Sequence, residues 1–190
     1  IHGCDQRLAA HSLLGGRRFI NRQMANRGAP TDYEAWEARG AAGWNWDKVL
    51  PYFKKLETDL DFDDEWHGQE GPILVRRVPK DHWSGHSKAL AETFDRAGYK
   101  YLPDQNGFFE DGYFPVTISN AEEQRVSASI GYLNAEVRKR QNLRISTHTS
   151  VTELLFEDRR CVGVKALVNG KEREFRGREI ILCSGAIHSP

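Results

Sequence analysis

The sequence predicts a mixed α/β fold, for three reasons. In the first 140 residues apolar side chains recur at helical spacing, as they do in Val49, Leu50, Phe53 and Leu56. From Asn142 onward, short apolar runs follow one another in the manner of strands. Asn169-Gly170, which lies between two of these runs, is typical of a type I′ hairpin turn. The 190 residues contain no internal repeat and suffice for one domain or the greater part of one.

Two helices are predicted near the start of the chain. The first begins at Asp32, and the second has Asp47 as its N-cap. The second also contains Pro51, which a helix tolerates only near its first turn. Residues 57–70 are acidic and irregular, so we expect a solvated connection there, with His67 in a loop.

Two further helices are predicted downstream. Residues 85–97 form the third, and Gly98 is its stop signal. Its inward face is expected to carry Leu90, Phe94 and Ala97. The fourth covers about residues 126–138, because apolar side chains again repeat at helical spacing.

The strands are predicted from short runs of apolar and β-branched residues. They are residues 71–78, 113–119, 143–147, 151–156, 162–168, 172–175 and 179–183. The last of these, around Ile180 and Ile181, is continuously apolar and predicts a strand buried on both faces. It runs into a Gly185-Ala186 turn of the kind that begins a helix.

The charge balance argues against two classes of partner. The 27 Lys and Arg residues equal the 27 Asp and Glu residues, so the net charge is zero. A neutral chain offers no net attraction for nucleic acid or for an anionic membrane surface, and we expect neither as a partner. No apolar run approaches the roughly 20 residues that cross a bilayer.

The cysteines and the chain ends each support one further expectation. Cys4, Cys161 and Cys183 are odd in number and widely spaced, which argues against a disulfide framework and favours the cytoplasm. The sequence opens at Ile1 without Met and closes just after a predicted strand and turn. We therefore expect an internal fragment of a longer protein.

The most informative motif is Leu14-Gly15-Gly16, followed by Asn21 and Arg27-Gly28. Paired glycines let backbone amides approach an anionic or planar ligand closely. Together with later motifs, the stretch resembles the FAD-dependent glucose-methanol-choline (GMC) oxidoreductase family. The later matches are Asp32-Tyr33, Trp36, Gly43-Trp44, Val49-Leu50-Pro51-Tyr52-Phe53, His67-Gly68, Gly71-Pro72, Gln124-Arg125, Ser127, Tyr132-Leu133, Asn142-Leu143, Val151-Thr152 and Ser184-Gly185-Ala186.

The resemblance implies an enzyme that transfers a hydride from the CH–OH group of a small alcohol to flavin N5. The electrons then pass to oxygen, a quinone or another acceptor. It also implies the residues that hold the FAD. These are Gly15, Gly16 and Asn21 at the flavin and pyrophosphate, the Val151 backbone at the adenine, and Gly185 and Ala186 beside the ADP half.

The resemblance further implies a division of the chain. Residues 1–70 would supply the flavin-covering loop and helices of a Rossmann-like FAD-binding domain. Residues 71–119 would belong to a substrate domain with an antiparallel sheet. Residues 120–190 would return to the FAD-binding domain as a hairpin and adenine-side strands.

Two features depart from the family pattern. Arg17 and Arg18 stand where small hydroxylated residues are usual. Either both stems turn outward onto phosphate oxygens, or the loop no longer holds FAD, and their bulk favours the second alternative. The GxGxxG fingerprint and the family's catalytic His are also absent from these residues, so no catalytic residue is assigned.

Two other functions compete with the FAD-dependent enzyme. One is a non-catalytic interaction module, a relative that has lost its cofactor through the Arg17-Arg18 change. The other is a flavin-containing lyase on the same fold. A metal site is not expected, because His82 and His86 have helical spacing without a third ligand.

Overall fold

The computed structural model describes residues 23–122, 124–185 and 189. Four of the predicted cofactor residues lie outside this range: Gly15, Gly16, Asn21 and Ala186. The chain divides into two compact units, the first ending at Arg140 and the second beginning at Gln141. The division at residues 70 and 119 stays a prediction.

Helices α1 (Pro30–Ala38) and α2 (Trp46–Leu56) open the first unit. The side chain of Asn45 caps α2, because its Oδ1 accepts the Lys48 N–H at 3.0 Å. The predicted N-cap at Asp47 is therefore wrong, and Asp47 lies in the first turn of the helix. Asn45 is the N-cap because its main chain is extended just before the helix, the conformation that an N-cap residue adopts.

The two helices share an aromatic core. Tyr33 from α1 and Trp46 from α2 are both buried, together with Val49. Phe109 meets Trp46 edge to face, with ring centroids 5.2 Å apart. This packing fixes the helices against the loop that contains residue 109.

A three-stranded mixed sheet lies at the centre of the first unit. Strand β1 (Glu57–Asp59) runs parallel to β2 (Ile73–Arg77), and β3 (Thr117–Ile118) pairs with β2 in the antiparallel sense. The side chains of Ile73 and Val75 are buried beside Val126. A two-stranded ribbon follows, formed by β4 (Asn120–Ala121) and β5 (Gln124–Arg125).

The predicted solvated connection at residues 57–70 is wrong. It contains β1, and the side chains of Glu57, Asp59 and His67 are buried. Gly68 explains part of the close packing, since a Cβ at that position would lie 2.0 Å from the Lys54 carbonyl oxygen. Only a glycine lets this segment pass so close to α2.

Helix α3 spans Gly85–Arg96, and Gly98, with φ of +85°, ends it as predicted. The predicted inward face is wrong for two of its three residues, because Leu90 and Ala97 are exposed. Phe94 is half-buried against Tyr113. A groove of about 350 Å³ beside α3 remains open, so the described residues cover this face only in part.

The single helix predicted at residues 126–138 is wrong. The segment forms two short helices, α4 (Ala128–Gly131) and α5 (Ala135–Arg138). The chain turns between them because Asn134 starts a new helix, its Oδ1 accepting the Val137 N–H at 3.0 Å. Helical spacing could not reveal this break.

The second unit is a three-stranded antiparallel sheet in the order β6-β7-β8. Its strands are β6 (Thr149–Glu157), β7 (Arg160–Val168) and β8 (Lys171–Arg176). Asn169 and Gly170, with φ of +49° and +78°, form the turn between β7 and β8. The predicted hairpin is therefore present, with both central residues in the left-handed region.

Two predicted strands of the second unit are wrong. Within the described part of the chain, neither residues 143–147 nor residues 179–183 form a strand. Ile181 is 82% exposed, although its apolar run predicted a buried strand. Such a run needs neighbouring strands on both sides, and the described residues pair none with it.

The described helices include none that is both long and apolar enough to cross a membrane.

Candidate functional site

A group of buried charged side chains lies in the first unit. We call it the ionic cluster, and its members are Arg27, Glu57, Asp59, His67, Arg77 and Asp104. Charged groups rarely occupy such positions unless each finds a partner, because removal from water is costly. The contacts below show how each charge in the cluster is compensated.

Arg77 at the end of β2 is the centre of the ionic cluster. Its guanidinium forms ion pairs with Asp59 and with Asp104. Its Nε also donates to Asp104 Oδ1 at 2.6 Å. The ring of Phe62 lies 4.7 Å from the guanidinium carbon and covers its face. One side chain thereby joins β1, β2 and the loop that contains Asp104.

His67 is completely buried between carboxylates. Its Nδ1 lies 2.6 Å from Asp64 Oδ1, and its Nε2 lies 3.1 Å from Asp104 Oδ2. Burial opposes a charge on the ring, but the hydrogen bonds to Asp104 and Asp64 and the charge of Asp59 outweigh it and raise the pKa of His67. With the ring protonated, two positive groups, Arg77 and His67, balance the fully buried Asp59 and Asp104.

The same contacts hold Asp104 in its charged form. Burial alone would raise its pKa, but hydrogen bonding to His67 and the charge of Arg77 lower the pKa of Asp104 to about 2. His67 and Asp104 therefore stabilise each other's charged states. Neither is free to take a proton from a substrate, since both are sealed from solvent.

A second pair joins the other end of the ionic cluster. Arg27 forms an ion pair with Glu57, and its Nη1 donates to the Trp66 carbonyl oxygen at 2.6 Å. Burial raises the pKa of Glu57, and the charge of Arg27 opposes that rise. Arg27 belongs to the Arg27-Gly28 motif of the sequence, whereas its partner Glu57 lies in the acidic stretch.

The carboxylates of the ionic cluster are already engaged by arginine. Among the described residues, no group of three or more His, Cys, Asp or Glu side chains is arranged to hold a metal ion. The chemistry available at the ionic cluster is therefore charge pairing. It fixes chain segments in place.

An apolar groove of about 1000 Å³ lies along α1 and α2. Its walls include the exposed rings of Trp36, Trp44 and Tyr52. Lys48, Lys55 and Glu70 are its charged lining residues. None of the predicted cofactor residues among those described lines this groove.

Val151 and Gly185, the two predicted cofactor residues that the structure describes, belong to the second unit. Val151 is half exposed on β6, which is an edge strand among the described residues. The pairing of β6 with β7 shifts between Val151 and Glu153, so the strand is irregular at this point. An open edge of this kind leaves backbone N–H and C=O groups available to a planar base.

Gly185 occupies a turn that requires glycine. Its φ is +87°, and a Cβ there would meet no described atom within 4 Å. The Gly185 carbonyl accepts the Ser189 N–H at 3.0 Å, while Ser189 Oγ accepts the Ser184 N–H at 2.9 Å. These two hydrogen bonds join Ser184 and Gly185 to Ser189. Backbone groups at an exposed strand edge and at a glycine are of the kind that can approach a nucleotide closely.

Comparison with known proteins gives a consistent result. The GMC oxidoreductase family profile matches residues 4–190. The 5-(hydroxymethyl)furfural oxidase of Methylovorus sp. (strain MP688) is 44% identical over 179 residues, which cover 94% of this chain and 34% of that protein. The oxygen-dependent choline dehydrogenase of Staphylococcus saprophyticus is 39% identical over 192 residues, which cover 98% of this chain and 34% of that protein.

The solved structures agree. The crystal structure of pyridoxine 4-oxidase from Mesorbium loti matches with a TM-score of 0.85 and 30% identity, over 93% of this chain and 35% of that one. The chain belongs to the GMC oxidoreductase family, as the resemblance predicted. Its mixed α/β fold with antiparallel sheets is confirmed. The chain spans about a third of the length of these relatives.

Sequence reasoning missed the ionic cluster. Glu57 and Asp59 lie in the stretch interpreted as a solvated connection, and Asp104 lies between the predicted third helix and the strand predicted at residues 113–119. The motifs His67-Gly68 and Gly71-Pro72 were the sequence signal that could have revealed the cluster. Glycines close to a histidine indicate that the backbone packs tightly around the histidine side chain. Nothing in the local pattern identified Asp104 as the partner of His67, which lies 37 residues away in the sequence.

We expect the ionic cluster to make stability depend on pH. The pKa of His67 is raised above 6.5, so its contribution is complete below that pH and is lost as pH rises through the folded pKa. The pKa of Asp104 is lowered from 3.8 to about 2, so its contribution, about 2 kcal/mol, is present above pH 3.8 and lost as pH falls toward 2. Urea unfolding across this pH range measures both effects.

His67→Gln should remove the fall in the free energy of unfolding on the alkaline side, because glutamine cannot be protonated. His86→Gln is the matched control, since His86 is exposed on α3. That control should keep the pH dependence of the unaltered protein. Identical pH profiles for His67→Gln and the unaltered protein would contradict the assignment.

Proposed function

We propose that the full-length protein is an FAD-dependent oxidoreductase that acts on the CH–OH group of a small alcohol. The observation that carries this proposal is the family match, which extends from residue 4 to residue 190. Identity of 44% over 94% of the chain to an oxidase supports it. The activity is proposed for the full-length protein, because the chain spans about a third of that relative.

The names of the relatives support a primary alcohol as substrate. Hydroxymethylfurfural, choline and pyridoxine each carry a hydroxymethyl carbon. All three names specify an oxidase or oxygen dependence, which supports molecular oxygen as the electron acceptor. We propose the cytoplasm as the compartment, on the odd and widely spaced cysteines, of which Cys161 and Cys183 are free thiols.

The proposed cofactor is FAD, which when bound accepts the hydride that leaves the carbinol carbon. In this chain, the exposed edge of β6 at Val151 supports a role in binding the adenine. The positive φ of Gly185 supports a role beside the ADP half, and Ala186 is proposed there on its motif alone. Gly15, Gly16 and Asn21 are proposed for the flavin side on their motif alone.

The chain's own titratable groups are proposed to serve structure. His67 has both ring nitrogens within hydrogen-bond distance of carboxylates and is completely buried, so it cannot reach a substrate hydroxyl. No described residue is assigned as the base that removes the hydroxyl proton. We propose that this base belongs to another part of the full-length protein.

Absorbance spectroscopy of the purified full-length protein tests the proposed function. We expect flavin bands in the visible spectrum, and we expect an anaerobic addition of a primary alcohol to bleach them as the hydride is transferred. A folded but colourless protein would contradict the proposal and favour the interaction module. Flavin bands that no alcohol bleaches would also contradict it and favour the lyase.

Gly185→Ala tests the proposed nucleotide site. Alanine is strained at a φ of +87°, so the turn should shift and the dissociation constant for FAD should rise several-fold. Gly170→Ala is a matched control, because Gly170 also has a positive φ, +78°, but lies in the β7–β8 turn. Fluorescence titration of FAD into the flavin-free protein gives both constants. Equal constants for the two variants would remove Gly185 from the site.

A further inference from the structure

Three aromatic rings of the first unit surround the ammonium group of Lys80. The ammonium nitrogen lies 3.5 Å from the ring centroid of Tyr101, 5.6 Å from that of Tyr113 and 5.9 Å from that of Trp83. We call these three rings the aromatic cage. Each distance lies within the roughly 6 Å over which the negative face of an aromatic ring attracts a cation. The aromatic cage therefore already holds a positive charge.

Backbone and side-chain hydrogen bonds fix the rings of the aromatic cage. Tyr101 and Tyr113 face each other across a parallel bridge, in which the Tyr113 N–H donates to the Lys100 carbonyl oxygen at 2.9 Å. The Trp83 indole N–H donates to the Val78 carbonyl oxygen at 2.8 Å. The Tyr101 ring centroid lies 5.4 Å from that of Tyr113 and 6.4 Å from that of Trp83. The rings are thus held in place independently of the cation between them.

Asp95 adds negative charge behind the most buried ring of the aromatic cage. The Tyr113 hydroxyl donates to Asp95 Oδ1 at 2.6 Å. This hydrogen bond raises the pKa of Tyr113 to about 12, so the phenol keeps its proton. A phenol that donates to a carboxylate is polarised toward its ring, and the ring face then attracts a cation more strongly.

The aromatic cage is the only described contact of the Lys80 ammonium. Within the described part of the chain, no carboxylate forms an ion pair with Lys80 and no oxygen accepts a hydrogen bond from its Nζ. Lys80 is exposed and begins a short 3-10 turn, Lys80–His82. Its flexible stem can return the strongly hydrated ammonium to water. Lys80 is therefore an exchangeable occupant of the aromatic cage.

The groove of about 350 Å³ beside α3 shares two rings with the aromatic cage, those of Trp83 and Tyr113. Its other walls include the apolar side chains of Leu90, Phe94 and Val116. A volume of this size lies at the lower end of the range for small-molecule sites, about 300–1,000 Å³. The aromatic cage and this groove together suit a ligand with a cationic head and a short apolar substituent.

We propose that the aromatic cage and this groove bind a quaternary ammonium compound that carries a short apolar substituent, and that Lys80 occupies the cage when no such ligand is bound. A quaternary ammonium has no N–H to satisfy, and aromatic cages are a recurrent means of binding it. Lys80 is attached beside the cage, so it competes at a high effective concentration and limits the affinity. None of the described cofactor residues lines this site, and the inference does not rest on the proposed function.

A proton NMR titration of the full-length protein with tetramethylammonium tests the proposal. Ring currents should shift the methyl resonance of bound tetramethylammonium upfield. Lys80→Ala empties the aromatic cage, so the dissociation constant should fall about fivefold or more. Lys80→Arg is the matched control, because it keeps a competing cation and should leave the affinity as weak as in the unaltered protein.

Tyr101→Leu tests the aromatic cage itself. In the Lys80→Ala protein, loss of the nearest ring should raise the dissociation constant for tetramethylammonium about tenfold and abolish most of the upfield shift. Tyr52→Leu, made in the same protein, is the control, since Tyr52 is an exposed tyrosine on α2 that lies outside the cage. A second ligand, tert-butanol, has a similar shape without the charge and should not bind.

The outcomes decide the proposal. Tighter binding of tetramethylammonium by Lys80→Ala than by Lys80→Arg, lost with Tyr101→Leu and kept with Tyr52→Leu, supports it. Absence of binding by Lys80→Ala would overturn it, as would equal binding of tert-butanol or equal dissociation constants for the two tyrosine variants. If Tyr101→Leu fails to fold, the two Lys80 variants still decide, because equal dissociation constants for them would show that Lys80 does not occupy the ligand site.

Discussion

The ion pairs of Arg77 with Asp59 and Asp104 are the interaction on which the first unit depends. They join β1, β2 and the loop at residues 104–107, and these carboxylates are completely sealed from water. Loss of one partner in such a buried network typically costs about 3–5 kcal/mol, because the remaining charge stays buried alone. His67 supplies the second positive charge, so the protonated ring is part of the fold.

The position of the ionic cluster connects it with the proposed function. Arg27, which forms an ion pair with Glu57 in the ionic cluster, follows the glycine pair Gly15-Gly16 in the sequence. In the second unit the edge at Val151 and the turn at Gly185 depend on strand pairing and a positive φ.

Much of the second unit could be predicted from the sequence, because its contacts are local. The three strands and the Asn169-Gly170 turn depend on neighbours that are close along the chain. The family could also be recognised, since its motifs occur in order. Residues 57–70 were misjudged because only distant partners, Arg77 and Asp104, reveal that their charges are paired and buried. The exposure of Ile181 could not be predicted either, because an apolar run does not show whether neighbouring strands are present.

A nuclear magnetic resonance titration of the His67 ring tests the central claim most directly. The account predicts that the Cε1 proton of His67 reports an imidazolium in the folded protein above pH 6.5, since two carboxylates face the ring and Arg77 completes the charge balance. A ring that loses its proton at or below pH 6.5 while the protein stays folded would show that the buried charges are not balanced in this way. The ionic cluster would then not hold the Asp104 loop as described.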